Sequence, residues 1–280
     1  MRLYLLVLNL LITFSALASP LHINREGDEA DCRRRHQLSV QEILASLAPD
    51  KMVERAHHDD HLYVSQPQFA EISPAFVGHH NDKYREGIDV SHYQGKIDWQ
   101  RVAKDGGVSY VYIKATEGAD LTDDHYATNI REARKAGLSV GSYHFYRPRA
   151  DVDAQFANMT RVVKKGDQDL VPIIDIEDDR SASEEAFISN LRRFVERVTK
   201  HYGRKPLLYT GQNFYNKHFQ GLFTDYQWMI AKYQDEPPVL LDDHFYLFWQ
   251  YTAKGSVPGI RGNVDRSCLM GNGSLKLVLM

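Results

Sequence analysis

From residue 87 onward, short apolar runs rich in β-branched residues alternate with segments of helical periodicity. Eight runs have the length and composition of buried strands, and amphipathic helices are predicted between the first five. Near-continuous apolar strands that alternate with helices are typical of a parallel sheet covered by helices. The predicted strands are 87–90, 109–115, 139–146, 171–176, 206–210, 227–233, 245–251 and 262–265, and the predicted helices are 99–104, 123–136, 151–165 and 183–202.

This pattern predicts an α/β fold, a modified TIM-type β/α barrel in residues 86–280. Helices are expected to be partly missing in its last third, because the amphipathic segments shorten or disappear after Gly203. An open doubly wound sheet is the alternative fold. It is disfavoured because no glycine-rich phosphate loop follows the first strand.

The first 18 residues have the form of an export signal. Arg2 precedes an apolar run, and the small residues Ala16 and Ala18 stand where a signal peptidase cleaves. The run is short for a membrane span, which takes about 20 apolar residues, and Asn9 interrupts it. We therefore predict a signal peptide at 1–18, export to the periplasm or the medium, and no stable membrane insertion after cleavage.

Residues 19–85 lack the strand and helix alternation and are predicted to form an N-terminal extension or linker of unknown role. One helix is predicted, at 39–48. The His/Asp cluster at 57–61 would suit a metal, but a solvated tail is favoured because no second cluster at ligand spacing supports it. The sequence leaves open whether Cys32 and Cys268 pair, with two free thiols slightly favoured.

The charge balance excludes several classes of partner. The chain has 34 Lys and Arg against 37 Asp and Glu, for a formal net charge of −3. Such a balance gives no electrostatic footprint for nucleic acid and no polybasic segment for a membrane surface. Two cysteines are too few for a disulfide-rich scaffold or a zinc site made of cysteine alone. We expect a monomer that binds no nucleic acid.

Carboxyl groups end three of the predicted strands. Asp89 ends the first strand, Asp175 and Glu177 end the fourth, and Asp265 ends the eighth. In a β/α barrel the carboxyl ends of the strands meet at one rim, where catalytic residues lie. We therefore expect these four acids to be brought together.

The spacing of Asp175 and Glu177 favours acid–base chemistry. Side chains two apart on a strand lie on the same face, about 6–7 Å apart. Like charges in a poorly solvated site push pKa values apart, and glycoside hydrolysis needs one protonated and one ionised acid. An N-cap carboxylate for the following helix is an equally open interpretation, although Asp178 and Asp179 lie nearer to that helix.

Aromatic residues gather at the same strand ends and would suit the apolar faces of sugar rings. Each of them alone fits a core position as well, but their convergence with the carboxyl groups indicates a saccharide groove. They are Tyr143, Phe145, Tyr146, Tyr209, Trp249 and Tyr251.

At these residues the sequence strongly resembles the family 25 glycoside hydrolases, lysozymes of the N-acetylmuramidase type. The matching stretches occur in the family's order, and residues 1–85 lie outside the resemblance. They are GIDVS (87–91), YQG (93–95), IDW (97–99), IKATEG (113–118), GSYHF (141–145), DIE (175–177), WQY (249–251) and GNVD (262–265). Arg266 and Ser267 depart from the family, where an apolar residue and Asn often follow.

The resemblance implies cleavage of the β-1,4 bond between N-acetylmuramic acid and N-acetylglucosamine in peptidoglycan, with no cofactor and no metal. It implies that Glu177 is the general acid. Asp175 would orient the reacting N-acetyl group or assist a water, with Asp89 and Asp265 as partners in the same pocket. A retaining, an inverting and a substrate-assisted route all stay open. The residues expected to bind the glycan are Tyr143, Phe145, Tyr209, Trp249 and Gln250.

Two other functions stay open. Asp89, His92 and His144 would serve as zinc ligands of a polysaccharide deacetylase, although structural histidines are favoured. A non-catalytic wall-binding module would bind glycan without cleaving it. Four clustered acids would then cost desolvation energy for no function.

Overall fold

The computed structural model describes residues 84–181 and 183–280, and its centre is a closed barrel of eight strands. The pairing of β1 with β2 joins the two ends of the sheet, so the barrel is confirmed and the open doubly wound sheet is wrong. The short β3 pairs only with β2 and lies outside the barrel. The strands are β1 Glu86–Val90, β2 Tyr110–Glu117, β3 Leu121–Thr122, β4 Ser139–Phe145, β5 Ile173–Asp175, β6 Leu207–Gly211, β7 Trp228–Ala231, β8 Phe248–Gly255 and β9 Val264–Leu269.

All four predicted helices form, within a few residues of their predicted ends. The longest begins after Ser183, whose hydroxyl accepts a hydrogen bond from the Ala186 N–H, and ends at Gly203 in the left-handed conformation. Within the described residues a short helix follows β6 and none follows β7, as predicted for the last third. The helices are α1 Trp99–Asp105, α2 Tyr126–Lys135, α3 Val152–Val162, α4 Glu184–Tyr202 and α5 Gln212–His218.

The direction of the last strand differs from the prediction of a fully parallel barrel. β9 runs antiparallel to both of its neighbours, β1 and β8. Asp265 therefore lies near the start of its strand and not at the end. Because the strand is reversed, its start reaches the rim at which the other strands finish.

Apolar layers pack against both faces of the barrel strands. The outer layer packs between the barrel and the helices, and the inner layer fills the barrel with large side chains such as Tyr110, Tyr112 and Phe248. Gly87 and Gly141 make room for the two tyrosine rings, because an added Cβ would lie 2.1 Å from Tyr110 and 2.3 Å from Tyr112.

The end of the barrel opposite the acids is closed by the C-terminus of the chain. A 3₁₀ turn at Leu275–Val278 packs into the inner layer, and the Val171 N–H donates to the carbonyl of Val278. Among the described residues, the C-terminal 3₁₀ turn thus fills the interior at the end opposite the acids.

Several predictions fall on residues outside the described ranges: the signal peptide at 1–18, the helix at 39–48, the cluster at 57–61 and Cys32. Cys268 in β9 is buried and disulfide-bonded, which contradicts the expectation of two free thiols. No helix among residues 84–181 and 183–280 is long and apolar enough to cross a membrane.

Candidate active site

Strand register brings the four predicted acids to one rim. Asp89 in β1 and Asp265 in β9 are direct cross-strand partners. Asp175 is the last residue of β5 and lies between Phe145 of β4 and Tyr209 of β6. Glu177 follows Asp175 by two residues, and the charges of Asp175, Asp89, Glu177 and Asp265 influence one another.

The acids differ in their exposure. Asp175 is 8% exposed and Asp89 is 9% exposed, whereas the Glu177 side chain opens to solvent. Glu177 lines a cavity of about 610 Å³ together with residues of α5 and of the segment after β7. The arrangement therefore combines a buried acid, Asp175, with an accessible acid, Glu177, that lines the cavity.

Burial raises the pKa of all four carboxyl groups. The pKa of Asp89 rises to about 7, opposed by a hydrogen bond from Gln250, and that of Asp265 rises to about 6. Burial and the charge of Glu177 raise the pKa of Asp175 well above its usual range. Burial also raises the pKa of Glu177, and the neighbouring Tyr209, Arg147 and Lys114 oppose that rise. The cluster thus holds protons into the neutral pH range.

The buried oxygen Oδ1 of Asp175 has no hydrogen-bond partner within the described part of the chain. Native proteins rarely leave a buried polar atom unpaired, and such an atom calls for an explanation. In the same ranges, none of the four acids forms an ion pair with Lys, Arg or His. Asp175 Oδ1 therefore has an unused capacity to accept a hydrogen bond from a ligand.

Gln250 of β8 is the centre of a hydrogen-bond network. Its Nε2 donates to Asp89 Oδ2 at 2.9 Å, and its Oε1 accepts from the hydroxyls of Tyr209 at 2.8 Å and Tyr233 at 2.7 Å. Gln250 is only 3% exposed. It contacts other site residues, and its role as a direct glycan contact stays a prediction.

A network of charged side chains from β2 and from the segment after β4 lies near Asp175. Lys114 of β2 donates to Glu117 at 2.7 Å, and Arg147 donates to the same carboxylate at 2.9 Å. The Arg147 guanidinium also stacks 4.3 Å from the centre of the Phe145 ring. A register shift in β2 after Lys114, relative to β4, accompanies this network.

The loop after Glu177 is tied to α5. His218 is buried and contacts Glu184 at 2.8 Å and Asp179 at 3.1 Å. Ser183 caps α4, so the alternative interpretation of Asp175 and Glu177 as helix caps is wrong.

The predicted aromatic residues separate into two groups. Tyr143 and Phe145 are partly exposed at the end of β4, and Tyr209 joins the Gln250 network. Trp249 is 1% exposed and packs against Cys268 and Met270, so its assignment to the sugar-binding surface is wrong. Strand alternation is the reason, because Gln250 faces the barrel and its neighbour must face outward.

Two cavity residues were missed by sequence reasoning. Tyr233 is 54% exposed and lines the cavity together with Glu177, and Phe214 of α5 also lines it. Tyr233 is in phase with Met229 and Ala231 along the β7 segment, so strand alternation was a usable signal. Phe214 had no comparable signal because helical periodicity does not indicate a cleft.

The structure does not bring together the histidines of the proposed zinc site. His92 contacts Asp123 at 2.7 Å, while His144 is fully buried between Thr116 at 2.8 Å and Gln155 at 3.4 Å. Burial lowers the pKa of His144 to about 4. Among the described residues no cluster of three or more His, Cys, Asp or Glu is arranged to hold a metal ion. The deacetylase ligand set is therefore wrong.

Comparison with known protein families shows which family this chain belongs to. A family model described as glycosyl hydrolases family 25 matches residues 88–260, which is more than half of the chain. The chain belongs to glycosyl hydrolase family 25. The match includes Asp89, Asp175 and Glu177, and Asp265 lies just beyond its end.

Individual proteins and a solved structure are similar to most of this chain. The uncharacterized protein YegX of Escherichia coli K12 is 35% identical over 73% of this chain and 75% of its own length. Lysozyme M1 of Streptomyces globisporus is 32% identical over 69% of this chain and 70% of its own. The crystal structure of the bacterial lysozyme from Streptomyces coelicolor has 32% identity and a TM-score of 0.63, and the similarity covers 70% of this chain and 97% of that one.

Proposed function

We propose that this family 25 member is a peptidoglycan hydrolase that cleaves the β-1,4 bond between N-acetylmuramic acid and N-acetylglucosamine. One observation carries the proposal: Asp175 is buried at the end of β5, and two residues later the accessible Glu177 lines a cavity of about 610 Å³. The names of related lysozymes support the same substrate class.

Glu177 is the general acid in this proposal. It is the acid that lines the cavity, so it can reach the glycosidic oxygen that departs from C1 of the N-acetylmuramic acid. Its raised pKa keeps a proton available under mildly acidic conditions. The proton passes to the glycosidic oxygen as the bond to the sugar C1 breaks, and water finally adds at C1.

Asp175 orients the substrate. Its unpaired buried Oδ1 is an acceptor suited to the N–H of an N-acetyl group beside the reacting carbon. Asp89 and Asp265 are cross-strand partners on the neighbouring strands β1 and β9, and they supply further hydrogen bonds to the substrate. The separation of the reacting carboxyl groups and the participation of the N-acetyl group decide between retention, inversion and substrate assistance.

The remaining parts of the chain fit this role. We propose that 1–18 is a removable export signal, that 19–85 is an extension, and that 86–280 is the catalytic barrel of an exported monomer. An enzyme that acts on a wall polymer must reach the outside of the cytoplasmic membrane.

The test is mass spectrometry of products from purified peptidoglycan. We expect fragments with reducing ends on muramic acid, and a loss of about 10²- to 10⁴-fold in their rate of release for Glu177→Gln. The control is Glu196→Gln, a change at an exposed position on α4 that should leave turnover unchanged. Wild-type rates in Glu177→Gln would remove Glu177 from the mechanism. Release of acetate without chain scission, or binding without products, would overturn the proposed reaction.

A further inference from the structure

An apolar cluster lies on the outer face of β8 and β9. Gln250 of β8 and Ser267 of β9 form hydrogen bonds inside the barrel. Side chains alternate between the two faces of a strand, so the neighbouring Trp249 and Cys268 face outward, where they are cross-strand partners. Together with Met270 they form a group, the β8–β9 cluster, that is separate from the apolar layer beneath the helices.

The β8–β9 cluster is buried, although within the described ranges no helix packs an apolar side chain on it. Trp249 is 1% exposed, Cys268 is 0% exposed and Met270 is 6% exposed. The ion pair of Glu86 and Arg266 lies on the same face, and its side chains are 3% and 8% exposed. A sheet face that is open to water would expose these groups. Their burial therefore calls for a cover from residues outside the described ranges.

The disulfide bond of Cys268 indicates which segment forms this cover. Cys268 is disulfide-bonded, and the other cysteine of the sequence is Cys32, in the predicted extension. The extension also enters the fold at this face, because Glu86, the first residue of β1, is the direct cross-strand partner of Cys268. Such partners lie about 5 Å apart in an antiparallel pair. The chain between Cys32 and Glu86 is long enough to turn back over the face.

We propose that residues 19–83 lie over the β8–β9 cluster and are held there by a Cys32–Cys268 disulfide. They take the place of the helix that this side of the barrel lacks in the described part of the chain. The bond forms by exchange with a disulfide of the oxidising compartment outside the cytoplasm. The two thiols lose two electrons and two protons, and the exchanging disulfide takes them up and becomes two thiols. The extension is then part of the folded enzyme and not a linker.

Peptide mapping of the oxidised full chain tests the bond. Free thiols are first blocked by alkylation, and trypsin then cleaves after Arg25, Arg33, Arg266 and Lys276. We expect peptides 26–33 and 267–276 to be joined, in a protein of single-chain mass, and to separate on reduction. A chain of double mass held together by Cys268 would mean that a second copy covers the face. That result, or alkylation of both cysteines, would overturn the proposal.

Hydroxyl-radical footprinting by mass spectrometry tests the cover itself. We expect Trp249 and Met270 to be oxidised slowly in the wild type and several-fold faster in Cys32→Ser, which releases the extension. Trp228 and Met229 serve as internal controls, because described residues bury both of them. Their oxidation should not change. Unchanged protection of Trp249 and Met270 would mean that the face is covered without the bond, and the proposal would be overturned.

Ser39→Ala is the matched control, because it alters the extension and keeps both cysteines. It should give the wild-type footprint, and faster oxidation of Trp249 in this variant would contradict a cover held by the disulfide. If all four reporters are oxidised faster in Cys32→Ser, the variant has unfolded. The same footprint is then measured on wild-type protein after mild reduction with dithiothreitol, where a rise confined to Trp249 and Met270 supports the cover and no such rise overturns it.

Discussion

The buried Asp89 carboxyl is expected to make the protein less stable as the pH rises. Burial is the main cause that raises the pKa of Asp89 from 3.8 to about 7, with a smaller rise from Asp265 and an opposing hydrogen bond from Gln250. In the unfolded chain this carboxyl is hydrated and titrates near its ordinary value. Between the two values the folded state binds more protons than the unfolded state, so the free energy of unfolding falls with increasing pH.

The size of the effect follows from that interval. Each pH unit within it lowers the free energy of unfolding by about 1.4 kcal/mol, so the whole interval amounts to about 4 kcal/mol. Asp89→Asn removes the titration, while the Asn side-chain oxygen still accepts the hydrogen bond from Gln250. We therefore expect the free energy of unfolding of the variant, relative to that of the wild type, to rise by about 4 kcal/mol from pH 4 to pH 8.

Urea unfolding at several pH values measures this difference, and the buried Trp99, Trp228 and Trp249 report it by fluorescence. Comparing the two proteins across pH cancels any effect of the substitution that does not depend on pH. Stability curves that run parallel from pH 4 to pH 8 would mean that Asp89 ionises easily in the folded state, and the argument from burial would be wrong.

Two further predictions concern packing and buried charge. Gly87→Ala places a Cβ 2.1 Å from the buried Tyr110 ring, so we expect a loss of about 1–3 kcal/mol in thermal or urea unfolding. Gly166→Ala, with nothing within 4 Å, should be neutral by the same measurement. Glu86→Ala removes the carboxylate that pairs with the buried Arg266 guanidinium and should cost about 3–5 kcal/mol. The double variant Glu86→Leu with Arg266→Met should recover most of that stability, and no recovery would contradict an electrostatic origin.

The sequence predicted the barrel because its strands are buried on both faces. Continuous apolar runs such as 171–176, followed by amphipathic helices with clear ends such as Gly203, carry their own signal. Two strand ends were located closely enough to identify Asp89, Asp175 and Glu177 as neighbours. Asp265 was included for a wrong reason, since the orientation of β9 depends on its partners and not on its own periodicity.

The errors at the site have a common cause. Trp249 and Gln250 are adjacent in the chain, and only their phase relative to the barrel axis decides which of them faces the acids. Arg147 and Glu117 are 30 positions apart in the sequence, so no local pattern predicts their contact beside Phe145.

The amino-acid sequence by itself determined which segments become strands and helices, because burial and turn chemistry are local properties of residue types. It also determined that carboxyl groups would stand at strand ends. Only the tertiary structure decided that Asp175 is enclosed while Glu177 opens to the cavity, and that Gln250 links Asp89 to Tyr209. Hydration and hydrogen-bond direction depend on neighbours from distant strands, and closure of the barrel is what makes them neighbours.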